Sequence, residues 1–167
     1  FAIWDKDGNK LYGPADNSTL WDGFIGPWTG TNDGDPIIIY DDMADRWLAS
    51  QFAVNTSNGT YWELLAVSAT PDPLGQWYRY AFQFSQFPDY PKIGVWNDSY
   101  IATFNMFAGS FAGVGVAAFD RDAMLNGDPN AQMVYFGPYG SKFGMMPADI
   151  DGDAAPADSP ALVATVN

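Results

Sequence analysis

Apolar residues in this chain come in short runs separated by Asp, Asn, Gly and Pro, and no run carries a sustained 3.6-residue stripe. That pattern predicts strands and almost no helix. Residues 1 to 14 hold the turn Asp7-Gly8-Asn9 between two apolar stretches, a strong hairpin signal. Ile37 to Tyr40, Arg46 to Val54, Tyr61 to Ser68 and Gln76 to Phe84 then read as four successive strands. The last two are divided by Thr70-Pro71-Asp72-Pro73-Leu74-Gly75, which breaks any regular element. A second series reads Lys92 to Trp96, Ser99 to Met106, Gly113 to Phe119 and Gln132 to Phe136, with Ala123-Met124-Leu125 as a helical turn.

The two series repeat one another. Asp35-Pro36-Ile37-Ile38-Ile39-Tyr40-Asp41, followed by Arg46-Trp47-Leu48, returns as Tyr90-Pro91-Lys92-Ile93-Gly94-Val95-Trp96-Asn97, followed by Ser99-Tyr100-Ile101. Pro36 and Pro91 lie 55 residues apart, and Trp47 and Tyr100 lie 53 apart. Ala2-Ile3-Trp4-Asp5-Lys6-Asp7 with Leu11-Tyr12-Gly13-Pro14 likewise returns as Ala117-Ala118-Phe119-Asp120-Arg121-Asp122 with Tyr135-Phe136-Gly137-Pro138. A period of that size built from short strands predicts an all-β chain of four-stranded antiparallel β-propeller blades. Residues 1–14 form the second half of a blade, 36–84 and 91–136 a blade each, and 144–167 the start of another. A ring needs at least four blades, so the partners expected are other chains, or the remainder of a longer polypeptide, that complete the propeller.

Composition sharpens this picture. Aromatic residues make up 17% of the 167 positions, which suits half-buried pleated surfaces. Glu63 is the only glutamate among 20 acidic residues, and the aspartates that make up the rest favour turns. The net charge of −13 argues against nucleic acid and anionic membrane as partners. With no Cys and no His, disulfides, thiol nucleophiles, Ser-His-Asp triads and ordinary zinc sites are excluded within the chain. No run reaches the roughly 18 apolar residues of a membrane-spanning helix, and the sequence opens at Phe1 without Met, a charged n-region or an apolar h-region, as expected if any signal peptide has gone. Sequons at Asn17, Asn55, Asn58 and Asn97 exceed the one or so that chance gives, marking exposed loops and candidate glycosylation sites.

Several segments carry a family resemblance. Asn32 to Asp41, Ala44-Asp45-Arg46-Trp47-Leu48, Ala66 to Pro73, Tyr78 to Phe82, Phe87 to Lys92 and Met146-Pro147-Ala148-Asp149-Ile150-Asp151-Gly152 together resemble a sialidase-like β-propeller module of large secreted bacterial surface proteins. The resemblance implies the fold and an extracellular or cell-surface location, and it assigns no activity. Ser68 to Trp77 is similar to a sialidase Asp-box, a structural turn, although here two prolines intrude.

Candidate chemistry follows from carboxylates and rings. Glycoside hydrolysis needs two carboxyl groups about 5 to 10 Å apart. Asp35, before Pro36, is similar to the Asp-Pro start that carries the base in five-bladed arabinanase-type glycosidases; Asp89 sits in a comparable place one repeat later, and Glu63 is the candidate acid. A sialidase gathers three arginines, and Arg46, Arg79 and Arg121 fall in turns or outer strands, which disfavours that activity. Asp149, Asp151 and Asp153, and Asp5, Asp7 and Asn9, alternate oxygen ligands around a glycine in the manner of calcium loops. Trp21, Phe24 and Trp28 form an aromatic loop suited to stacking on a sugar or to packing within the fold.

The reading that results is a non-catalytic secreted or cell-surface module that binds or scaffolds a glycan or protein. The alternatives are a glycoside-hydrolase-like propeller acting on polysaccharide, with further catalytic groups outside this chain, and a structural subunit of an extracellular assembly.

Overall fold

A computed structural model describes residues 1–55, 58–140 and 142–165. The chain is all-β and antiparallel, and the hairpin predicted near the N-terminus is present as β1 (Ile3–Trp4) and β2 (Lys10–Tyr12). A short 3-10 helix, Asn17–Trp21, and a loop then lead to the first large sheet.

That sheet is a meander of β3 (Ile37–Asp41), β4 (Arg46–Asn55), β5 (Thr60–Ser68) and β6 (Trp77–Phe84), each paired to the next. The second is a meander of β7 (Phe87–Val95), β8 (Ser99–Phe107), β9 (Phe111–Asp120) and β10 (Met133–Tyr139). Between β9 and β10 lies α1 (Arg121–Leu125), where a helical turn is predicted, capped by the Asp120 carboxylate accepting from the Ala123 amide at 3.0 Å. Finally β11 (Met146–Pro147) pairs with β12 (Val163–Ala164). The sheets are not closed among the described residues.

Strand β7 begins five residues before the Lys92 start that the apolar pattern predicts. The reason is a bulge: Asp89 opposes Asn105 and Lys92 opposes Thr103, so β7 spends one residue more than β8 across Tyr90-Pro91. Proline has no amide hydrogen to give, and the bulge lets pairing resume on both sides of it.

The core lies between the two large sheets. Leu48, Leu65, Val67, Tyr80 and Phe84 of the first meet Val95, Tyr100, Ala102, Phe104, Met106, Ala117 and Phe119 of the second. Phe82 lies 4.7 Å from Phe119, and Phe84 lies 5.1 Å from Phe104, both within the range where ring edges and faces attract. Strand β7 crosses β3, β4 and β5 in this interface, and β11 takes the corresponding place against β7 and β8 on the far face of the second sheet. Gly94 makes that second contact possible, because a Cβ there would come within 2.3 Å of the Ala148 carbonyl oxygen. Gly94→Ala is therefore expected to lift the segment after Met145 off β7, at a cost of about 1–3 kcal/mol. Faster hydrogen exchange at the Ile150 amide, which donates to the Val95 carbonyl at 3.1 Å, reads it out.

Candidate functional site

Three X-Pro steps, Asp35-Pro36, Tyr90-Pro91 and Met146-Pro147, open β3, interrupt β7 and form β11, and the fold gathers them around one groove of about 510 Å³. Asp35 and Tyr90 both adopt left-handed backbone, with φ of 54° and 55°. Such a conformation costs a non-glycine residue on the order of 1 kcal/mol, so the same irregularity twice reflects a shared turn imposed by the repeat. The Lys92 ammonium folds back 3.2 Å above the Tyr90 ring and donates to the Pro91 carbonyl at 2.9 Å. Asp149 joins the lining and accepts from the Val95 amide at 2.7 Å.

Glu63 is close to this groove but sealed from solvent. On β5 it stands opposite Phe52 of β4 and Phe82 of β6, in the strand face turned toward the second sheet. It is 0% exposed, and among the described residues neither carboxyl oxygen has a hydrogen-bond partner. Burial pushes its pKa well above the usual glutamate value, and the negative charge of Asp35 pushes the same way. Ser50 lies near enough to oppose this slightly, but its hydroxyl is not in hydrogen-bonding geometry with either oxygen. Burial thus favours the neutral form of Glu63, which is enclosed between the sheets. Asp35 lines the groove, whereas Asp89, half-buried and paired with Asn105, does not.

In the two expected calcium loops, Asp5 and Asp149 accept hydrogen bonds from within the protein. Asp5 Oδ1 accepts from the Asn9 amide at 2.7 Å and the Asp7 amide at 3.0 Å, and its Oδ2 accepts from Asn9 Nδ2 at 2.9 Å. The bonds from Asn9 hold the Asp5 carboxyl below its usual pKa and fix the β1–β2 turn. Asp149 ties down Val95, while Asp151 and Asp153 are exposed. Among the described residues no three acidic side chains converge on a point that would hold a metal ion.

The aromatic loop lies on the face of the first sheet turned away from the second. Trp21 and Trp28 are buried against Ala49, Ala53, Leu64 and Ala66, with Phe24 half-buried beside them and stacked on Trp28 at 5.0 Å. The indole nitrogens donate to Gln51 Oε1 and to the Phe24 carbonyl. These rings form a second small core, and Phe24 is the most accessible of the three.

The three arginines stand apart. Arg46 bonds the carbonyls of Ala44 and Asp45, and Arg79 bonds those of Leu20 and Asp22. Arg121 grips Asp41 through Nε at 2.7 Å and a terminal nitrogen at 2.9 Å, and Tyr100 donates its hydroxyl to the same carboxylate at 2.9 Å. This buried cluster joins the end of β3 to α1 across the two sheets, and sequence reasoning missed it. Asp41 corresponds to Trp96 in the repeat, so the second sheet carries no matching carboxylate that could have announced the cluster. Asn97 also reaches across, its amide exchanging two 2.9 Å bonds with the backbone of Ala155.

Those bonds occupy the Asn97 side chain that a glycan would need. Asn58 is exposed in the β4–β5 turn and bonds Thr60, whereas Asn17 is half-buried. Asn55 ends β4, and the rest of its sequon, residues 56 and 57, lies outside the described residues.

No protein-family profile, curated protein or solved structure matches the chain.

Proposed function

We propose that the chain is a non-catalytic binding or scaffolding module of an extracellular or cell-surface β-propeller, its two large sheets being neighbouring blades. The observation that carries the reading is the fate of the carboxylates: Glu63 is sealed between the sheets, and Asp35 reaches the groove without Asp89 or Glu63 beside it on the lining. A glycosidase needs both of its groups on the same bond. The groove offers instead a shallow surface of proline, tyrosine and methionine with Asp35, Lys92 and Asp149 at its margin, suited to a polar glycan or peptide.

One observation favours the glycoside-hydrolase alternative, namely that the charge of Asp35 acts on the Glu63 carboxyl. Two measurements on the intact chain separate the readings: calorimetric titration with soluble polysaccharides, and release of reducing ends from the same panel. Binding without release is expected. Release that disappears in Asp35→Asn would overturn the proposal.

A further inference from the structure

We infer that the β1–β2 hairpin of one copy of this chain completes the β11–β12 sheet of another, giving a four-stranded sheet of order β11-β12-β1-β2 shared between two molecules. The inference extends the blade reading above and does not depend on the absence of catalysis.

The receiving surface is a partly covered face. On one side of the second large sheet, four strands of the first sheet are laid down, with Phe82 and Phe84 of β6 on Phe119 of β9 and Tyr135 of β10. On the other side β11 covers only the inner strands, where Thr103 Oγ1 donates to the Met145 carbonyl at 2.6 Å and the Ile150 amide donates to Val95. Beyond β12 a groove of about 770 Å³ remains, with Val116, Ala118 and Phe136 as its floor and Ala161 and Val163 on its near wall. Repeating the established interface on this side calls for two more strands.

The chain carries a two-stranded element of the right kind. Ala2–Asp7 with Leu11–Pro14 repeats the sequence of Ala117–Asp122 with Tyr135–Pro138, which forms the outer two strands β9 and β10 of a complete sheet. In its own molecule this hairpin is a sheet of two strands that exposes Trp4 (57%), Leu11 and Tyr12. The place on the first sheet where it would otherwise stack is filled by Trp21 and Trp28. Because donor and acceptor surfaces differ, the contact is head-to-tail, and successive copies build a ring or an open row.

The absence of cysteine makes a direct test possible. Ile3→Cys and Ala164→Cys chains are prepared separately, mixed and oxidised mildly, while native mass is followed by light scattering against concentration. The expected result is mass above the monomer that rises with concentration, and a mixed disulfide dimer at least tenfold more abundant than either like-with-like dimer. Phe136→Asp, an exposed groove change, is expected to return the mass to the monomer with an unaltered β-sheet circular dichroism spectrum. A monomer at every concentration, or statistical cross-linking, would sink the inference and leave the binding proposal standing; conversely, polysaccharide turnover by an assembled chain would sink only the latter.

Discussion

Asp41→Ala is expected to destabilise the chain by about 3–5 kcal/mol, because it strands the Arg121 guanidinium without its carboxylate between the two sheets. Asp41 is 0% exposed and Arg121 7% exposed, so water cannot replace the lost partner. The urea midpoint measures the loss. An apolar pair at both positions recovers much of it, since removing both charges also removes the cost of burying them. The pH dependence carries a definite sign. Burial alone would raise the Asp41 pKa, but Arg121, the Ala44 amide and Tyr100 together overcome it and leave the group below its ordinary value. Stability from a depressed carboxylate is complete above its unfolded pKa and is lost as the pH falls through the folded one, so this part disappears in the acid range below about pH 4. A variant as stable as the wild type at neutral pH would refute the assignment of Asp41 and Arg121 as the clamp between sheets.

Glu63→Leu has the opposite expected effect. The wild-type carboxyl is neutral in the folded protein and ionised in the unfolded chain once the pH exceeds the ordinary glutamate value of about 4.3. A raised folded pKa gives stability that is intact below the unfolded pKa and lost as the pH climbs toward the folded one. Wild-type stability therefore falls by about 1.4 kcal/mol per pH unit over that window from this group alone. Leucine carries no titrating group, so the variant lacks that slope and gains on the wild type as the pH rises. Urea midpoints across the window decide it: parallel curves for the two proteins would mean that Glu63 finds a partner or water in solution.

Much of the strand pattern was legible because it rests on local rules. Asp7-Gly8-Asn9 announces a hairpin by backbone preference alone, and Ile37 to Tyr40 and Tyr61 to Ser68 announce strands by β-branched and aromatic content. The repeat placed corresponding strands in the two sheets. The bulge at Tyr90-Pro91 was not legible, because Asp89 is drawn into the sheet by Asn105 of β8, which no local pattern announces. The clamp was hidden for a similar reason: Asp41 and Arg121 are 80 residues apart, and one sequence does not say which distant charges meet. Glu63 was picked out as an acid from its chemistry. Its place inside Trp62-Glu63-Leu64-Leu65-Ala66-Val67, a run buried on both faces, was the sign that it would be enclosed. The rings of Trp21 and Trp28 suited either a sugar platform or packing within the fold, and their small neighbours, Ala49, Ala53 and Ala66, receive them as packing.

The plain meander of both large sheets also governs how the molecule comes into being. Strands β4 to β6, and β8 to β10, each pair with the strand that has just preceded them. Loop closure between neighbours in sequence is cheap in entropy, so each sheet can zip up from its own hairpins without waiting for distant residues. The contacts that need distant residues are those between the two sheets, where Phe82, Phe84 and Arg121 engage. During synthesis the first sheet can be complete, with its aromatic loop already laid over one face, before the second has left the ribosome.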